Sequence, residues 1–369
     1  MKFTCEKYLL SLAVSTAGRA AAAKSPIPAL EGLLIEALSD VRITGYDLKK
    51  GIYTNFEADV SETGSVVLSS KLFGEIVRKL PDGIVTFEVK ESGMVNISCG
   101  NADYNITYTS AEDYPELPSM DHGSVITVEQ GKFARMIAET SFAVSDNESR
   151  PVYTGELIEL ENNVLTMVAV DGYRLALRRE AAKACDVEAC QFIVPGAALS
   201  DLEKICMSPE EDVTITVGSK HISFSVGDTV LISRRLEGDF LNYKKTVPMD
   251  FPVRVRASRT DMIRCADRVS LIIDDRSKNP LRCCFGDGEL NITCATPLGR
   301  AEDSCVIEGN GGNMVIGFNN SYILDALKAA NADVLTINLG GGTSPCVLTP
   351  DDGSDKFLYM ILPVRLRAE

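Results

Sequence analysis

The sequence predicts an α+β chain assembled from three copies of one β-rich domain. Three observations predict this. The chain has 369 residues, enough for two or three domains. It is 45% hydrophobic and 24% charged, a globular composition that excludes a wholly disordered, collagenous or coiled-coil chain. A single plan of strands and helices recurs at a spacing of about 125 residues, too long for a solenoid repeat and right for a domain.

Each copy opens with a short strand running into a helix. In the first, Lys2-Phe3-Thr4-Cys5 leads into a helix over 6–17. In the second, a strand over 124–128 leads into 130–143, where Phe133, Met136, Ile137 and Thr140 fall at helical spacing. In the third, 251–257 leads into 259–271. Two strands around a turn follow. They are Leu33-Leu34-Ile35-Glu36 with Val41-Arg42-Ile43-Thr44, then 156–159 with 165–168, then Leu281-Arg282-Cys283-Cys284 with Leu290-Asn291-Ile292-Thr293. Each copy closes with a strand, a helix and a final antiparallel group. The closing helices cover 70–80, 197–207 and 320–330. Pro and polar residues mark linkers at Leu117-Pro118-Ser119-Met120-Asp121 and Thr246-Val247-Pro248-Met249-Asp250. The expected domains are therefore 1–121, 122–248 and 249–369.

Charge and cysteine usage exclude several classes. Lys plus Arg is 37 and Asp plus Glu is 52, a net charge of −15. That excludes a protein coating DNA with an all-round basic surface, but not one with a local basic surface. Residues 1–12 carry no apolar core of signal-peptide length, and no window approaches a membrane span. The 11 cysteines are odd in number, include no CxxC pair, and are expected to be reduced thiols. Only His122 and His221 could complete a zinc site.

Catalytic patterns are absent. There is no P-loop and no GxGxxG opening a helix. The glycine clusters at Gly309, Gly311 and Gly312 and at 340–342 lie between strands and read as turns. The acidic pairs, such as Asp274-Asp275, read as solvated loops rather than metal ligands.

The cations are more informative. On the helix over 70–80, Leu72, Phe73, Ile76 and Leu80 form one side, while Lys71 and Arg78 share another face with Lys79 beside it. Lys132 and Arg135 are three apart on a helix of the second copy. Arg264 and Arg268 are four apart on one of the third, with Arg259 nearby. Any one stripe reads as an ordinary solvated helix face. Its recurrence in three copies points to a shared anionic partner, for which DNA phosphate is suited because it needs spaced charges and no base-edge readers.

Over its whole length the sequence resembles a known family, the bacterial DNA polymerase III beta subunit or replicative sliding clamp. The marks are Met1-Lys2-Phe3-Thr4, Thr44-Gly45-Tyr46-Asp47-Leu48 and Asp113-Tyr114-Pro115. They continue with Val168-Ala169-Val170-Asp171-Gly172-Tyr173-Arg174-Leu175-Ala176, Gly317-Phe318-Asn319-Asn320-Ser321-Tyr322 and the tail Met360-Ile361-Leu362-Pro363-Val364-Arg365-Leu366. The resemblance implies a head-to-tail homodimer that closes a ring, with strands outside and helices lining the hole. It implies no catalytic activity, cofactor or metal. Double-stranded DNA would be encircled without sequence preference. Lys71, Arg78, Lys79, Lys132, Arg135, Lys204, Arg264 and Arg268 would face the hole. Lys24, Asn147 and Arg150 correspond to loops that touch DNA in the family. After Val194-Pro195 the family often places basic residues, and this chain has Gly196-Ala197-Ala198 instead.

The resemblance also implies a groove between the second and third domains that takes short peptides. One wall would be Tyr153, Val170, Gly172, Tyr173, Arg174, Leu175, Leu241 and Thr246. The other would be Asn319, Tyr322, Thr343 and Pro345 with Met360, Ile361, Leu362, Pro363, Val364 and Arg365. An apolar tail makes a better wall than a solvated end, and the same tail also reads as a last strand, since a strand has two faces. Many relatives have His at Tyr173 and Pro at Leu241, and the chain runs on through Arg367-Ala368-Glu369 at the rim. The implied partners are the replicative polymerase alpha subunit, the clamp loader, repair polymerases and mismatch-repair proteins, in the cytoplasm and away from membranes. Ring closure would use an edge strand around Tyr104 and Ile106 and an apolar patch at Leu271 and Ile272. Two other classes predict differently. A carboxylate hydrolase needs a catalytic pair in a cleft. A repeat-built scaffold predicts a monomer indifferent to DNA topology.

Overall fold

The structure is a computed structural model describing residues 1–90, 92–121, 123–274 and 279–366. His122, Asp275 and Arg367-Ala368-Glu369, singled out above, lie outside the described residues. The helices are α1 (Lys7–Ala17), α2 (Ser70–Lys79), α3 (Gln130–Thr140), α4 (Gly196–Ile205), the single turn α5 (Tyr243–Thr246), α6 (Arg259–Ser270) and α7 (Asn320–Ala329). Six of them stand where the repeating plan puts them. Each follows a strand directly or after one residue, and on α6 and α7 the side chain at that junction caps the helix. Ser258 Oγ accepts from Asp261 N at 3.3 Å, and Asn319 Oδ1 accepts from Ser321 N at 2.9 Å.

Contacts divide the chain into two compact units. The first comprises Met1–Gly131, Lys183–Val187 and Ala197–Arg235. It holds a five-stranded sheet in the order Asp59–Glu62, Lys2–Glu6, Ile84–Lys90, Met94–Cys99, Ala102–Thr107. Its second sheet has nine strands. Ala184–Cys185, Ser124–Glu129, Asp212–Val217, His221–Val226 and Thr229–Arg234 come from the second repeat. Lys50–Phe56, Val41–Tyr46, Gly32–Ala37 and Gly64–Ser69 come from the first. The join is an ordinary antiparallel ladder from Thr229↔Thr54 to Ser233↔Lys50.

Period-2 burial on these strands and one apolar face on α1 and α2 close a core between the two sheets. Phe3 stacks on Phe87 at 4.7 Å, and Phe73 of α2 meets Phe87 edge-on at 6.2 Å. The buried face of α2 is Phe73, Ile76 and Val77 with Leu80 just beyond. Leu72, expected on that side, is 46% exposed, because it sits at the rim of the stripe, one residue off its centre.

The second unit comprises Lys132–Ala182, Glu188–Gly196 and Leu236–Glu369. Its sheet has ten strands. Ala189–Pro195, Gly155–Glu161, Val164–Val170 and Arg174–Ala181 come from the second repeat. Phe357–Ile361, Cys346–Pro350, Val334–Leu339, Val253–Ser258, Gly299–Phe318 and Leu281–Thr296 come from the third. The join runs from Arg174↔Ile361 to Arg178↔Phe357. The turn expected between residues 284 and 290 falls inside the strand Leu281–Thr296, where the pairing register breaks on both sides of Asp287. The glycines at 309, 311 and 312 likewise lie within the span Gly299–Phe318 rather than between strands.

One face of the ten-stranded sheet carries a buried charge network. Arg178, 3% exposed, forms an ion pair with Glu139 of α3 at 2.9 Å and another with Glu180. Its guanidinium also donates to Lys356 O at 3.1 Å. Burial pushes the Glu139 carboxyl upward against the pull of Arg178. Arg178→Met is expected to cost about 3 kcal/mol in chemical denaturation, since it strands a buried carboxylate. Glu139 then favours its neutral form in the folded state. Its contribution is intact below the unfolded pKa and is lost as pH rises through the folded one, so the deficit should shrink toward acid pH. A loss under about 1 kcal/mol, or a deficit independent of pH, would contradict this role for the pair.

Candidate functional site

The residues expected at a peptide groove all lie in the second unit. The turn after Val164–Val170 builds its mouth. Asp171 Oδ1 accepts from Tyr173 N at 2.9 Å and Arg174 N at 3.0 Å, an Asx turn that closes the hairpin. Gly172 sits at φ +94°, which favours glycine there. The turn leaves Tyr173 61% exposed.

Alternation on the ladder then sorts the walls. Leu175 and its partner Met360 point to one face, and Arg174 with its partner Ile361 to the other. On the first face Val170, Leu175, Leu177 and Met360 form a buried apolar floor with Leu157, Ile193, Tyr243 and Val347. Tyr153, Leu241 and Leu362 pack on that floor half-buried, as do Val152, Phe240 and Val247, which sequence reasoning did not single out. Tyr153 meets Phe240 edge-on at 5.5 Å. Thr246 stands exposed on α5, its hydroxyl donating to Asn242 O at 3.0 Å. Ile361 belongs instead to the core on the opposite face, together with Tyr359.

The tail is tied down at two points. Leu362 N donates to Tyr173 O at 2.9 Å, and Val364 N donates to Gly317 O at 2.8 Å. A Cβ on Gly317 would lie 2.5 Å from Val364 O, so only glycine admits the tail this closely. Pro363 between them is half-buried, while Val364 and Arg365 are exposed. Thr343 is exposed and Pro345 half-buried in the loop before Cys346–Pro350.

Arg174 is not a free charge. Its Nε donates to Asp171 Oδ2 at 2.9 Å, and another guanidinium nitrogen reaches Asp325 Oδ2 at 2.6 Å. The guanidinium lies 4.5 Å from the Tyr322 ring centre and 5.4 Å from that of Phe142. Tyr322 stacks in turn with Tyr173 at 6.0 Å. Burial and the Asp171 carboxylate push the Tyr322 hydroxyl upward, so it stays protonated and neutral at physiological pH. Asn319 caps α7 and so fixes Tyr322. The result is an aromatic wall braced from behind by an ion-paired arginine. The Asp-Gly signal of the turn was readable in the sequence. The roles of Phe142 and Asp325 were not, because distant elements supply them.

The candidate cations differ by helix. Among the described residues, Lys71, Arg78 and Lys79 of α2 are exposed and make no ion pair. Lys71 and Arg78 line a shallow cleft against α1 with Ser11, Ser15 and Ser70. Lys24, Arg135, Asn147, Arg150 and Lys204 are exposed, and Lys132 is half-buried. Asn147 shapes its loop, accepting from Ser149 N at 3.0 Å. On α6 the stripe is partly neutralised. Arg268 pairs with Asp303, and Arg264 lies 3.8 Å from Asp261.

The expected edge and patch are described separately, one in each unit. Ala102–Thr107 is an outer strand of the five-stranded sheet. Tyr104 and Ile106 are half-buried against its core, and Asp103, Asn105 and Thr107 face out. In the second unit Leu271 is 84% exposed, whereas Ile272 packs half-buried against the core. Among the described residues no group of acidic, cysteine or histidine side chains has the geometry of a metal site. Among the same described residues no helix is long and apolar enough to cross a membrane.

Comparison with known proteins points one way. Residues 1–118, 127–242 and 244–365 match the N-terminal, central and C-terminal domain families of the DNA polymerase III beta subunit. The beta sliding clamp of Staphylococcus aureus is 31% identical over 379 residues, spanning 99% of each chain. Among solved structures, the DNA polymerase sliding clamp of Bacillus subtilis superposes with a TM-score of 0.93 at 28% identity and 100% coverage of both chains. The Pseudomonas aeruginosa sliding clamp bound to griselimycin gives 0.94 at 25% identity, covering 99% of this chain and 100% of its own.

Proposed function

The chain belongs to the DNA polymerase III beta subunit family, and from that premise we propose how its residues serve a sliding clamp. The family role is that of a non-catalytic processivity factor, which binds DNA and polymerase partners. In our reading the clamp domains are 1–121, 122–248 and 249–369, and two protomers close head to tail. The ring holds duplex DNA by topology, so each phosphate contact can stay weak and the ring can slide. The net charge of −15 then belongs mainly to the outside, where it repels DNA. Lys71, Arg78 and Lys79 are the strongest DNA-facing candidates, being free of ion pairs. Arg268 is the weakest, being held by Asp303. The seam joins the edge Ala102–Thr107 of one copy to the surface around Leu271 of the other.

Partner peptides dock on the floor of Val170, Leu175, Leu177 and Met360, between Tyr153 and Leu241 on one side and Tyr173 and Tyr322 on the other. The observation that carries this reading is the continuity of that floor with the exposed Tyr173 and the tethered tail. Its occupants would be the polymerase alpha subunit, the clamp loader, repair polymerases and mismatch-repair proteins. Serving a chromosome, the protein would work in the cytoplasm.

The test is topological. The protein is loaded on nicked circular DNA with a clamp loader, and the circle is then cut once. Retention on the circle with release after linearisation is expected. Equal retention on both forms would refute encirclement.

A further inference from the structure

The ion pair between Arg268 and Asp303 reports how α6 lies on the strand Gly299–Phe318. The same crossing brings two thiols together. Cys265 is one turn before Arg268 and shares its helix face, and Cys305 is two residues beyond Asp303 and shares its strand face. Met262 and Ile307 continue the register inward, both buried in the same core. Cys265 is fully buried, and Cys305 is half-buried at the margin of that core. The two sulfurs lie near enough to perturb each other, which pulls Cys305 down and pushes Cys265 up. Asp261, Asp303, Cys283 and Arg268 are the other ionisable groups around them. Cys283 and Cys346 lie deeper, with no exposed member.

We propose that Cys265 and Cys305 form an oxidant-reactive dithiol that hydrogen peroxide converts to an intramolecular disulfide. A half-exposed sulfur backed by a buried resolving thiol is the arrangement this chemistry needs. The Cys305 sulfur attacks one peroxide oxygen and the O–O bond breaks. The other oxygen leaves as water, taking the Cys305 proton, and Cys305 becomes a sulfenic acid. The Cys265 sulfur then attacks the Cys305 sulfur. An S–S bond forms, the S–OH bond breaks, and hydroxide leaves with the Cys265 proton as a second water. The two sulfurs lose two electrons and the peroxide gains them. The bridge ties α6 to the strand beside it, so the oxidised protein should melt at a higher temperature than the reduced one.

The experiment treats the full-length protein with a small excess of hydrogen peroxide and quenches with catalase. The chain is then denatured, its remaining thiols are blocked with N-ethylmaleimide, and it is mapped by mass spectrometry. The expected result is that all cysteines but two take the label and one cross-linked peptide joins residues 265 and 305. Dithiothreitol should reverse the link. Cys265→Ala should instead leave Cys305 as a sulfenic acid trapped by dimedone, with the circular dichroism of the parent. Full labelling, a bridge between other cysteines, a bridge between two chains, or no gain in dimedone trapping in Cys265→Ala would each overturn the proposal.

Discussion

Leu271→Asp is expected to turn the dimer into monomers at concentrations where the parent stays paired. Leu271 is 84% exposed in one chain, so its side chain contributes little to the core beneath. In the seam proposed above, a partner surface covers this apolar side chain at the end of α6. Burying a carboxylate there should cost about 3 kcal/mol, roughly a hundredfold in the dimer dissociation constant. Sedimentation velocity reads the change. Leu271 is the better site than Ile272, whose packing against its own core would confound assembly with folding. A folded Leu271→Asp protein that sediments like the parent would remove this patch from the seam.

The second large effect belongs to the groove. Leu362→Ala should weaken binding of a polymerase-tail peptide by about thirtyfold, close to 2 kcal/mol, and leave sedimentation unchanged. Leu362 packs on the apolar floor, and its backbone N–H rather than its side chain holds the tail to Tyr173. The tether therefore survives the substitution. Removing the chain after Tyr359 would be a poorer test. Met360 and Ile361 pair with Leu175 and Arg174 on one side and with Val347 and Cys346 on the other, so truncation unpicks the sheet itself. Titration calorimetry with a short peptide gives the number. Unchanged affinity in Leu362→Ala would place the docking site elsewhere.

Much of the fold was legible because its signals are local. Strand alternation, the apolar face of α3 and the strand-to-helix junctions need only neighbouring residues, and they lie where the spacing predicts. Leu72 lies off the buried face because a short stripe does not mark its own centre. What stayed hidden was set by partners remote in sequence. No periodicity announces that Thr229–Arg234 pairs with Lys50–Phe56, or that contacts group the chain into two units. The same limit applies to the site. Its walls follow from motif and resemblance. That Arg174 is spent on Asp171 and Asp325, or Arg268 on Asp303, depends on which acids the sheet brings near. A cationic stripe read from a helix alone overstates the charge available to a ligand.

The shared sheets have a consequence for inheritance. Strands of the middle repeat extend the sheet of the first repeat at one end and of the third at the other. Cut free at its linkers, that repeat would expose two unpaired edges, at Thr229–Arg234 and Arg174–Ala181, each a template for aggregation. The three copies share one plan, yet the middle one is not a portable module. Its neighbours finish its sheets, so its edge strands and theirs must change together, and a swap between relatives can succeed only if it carries both sides of each ladder.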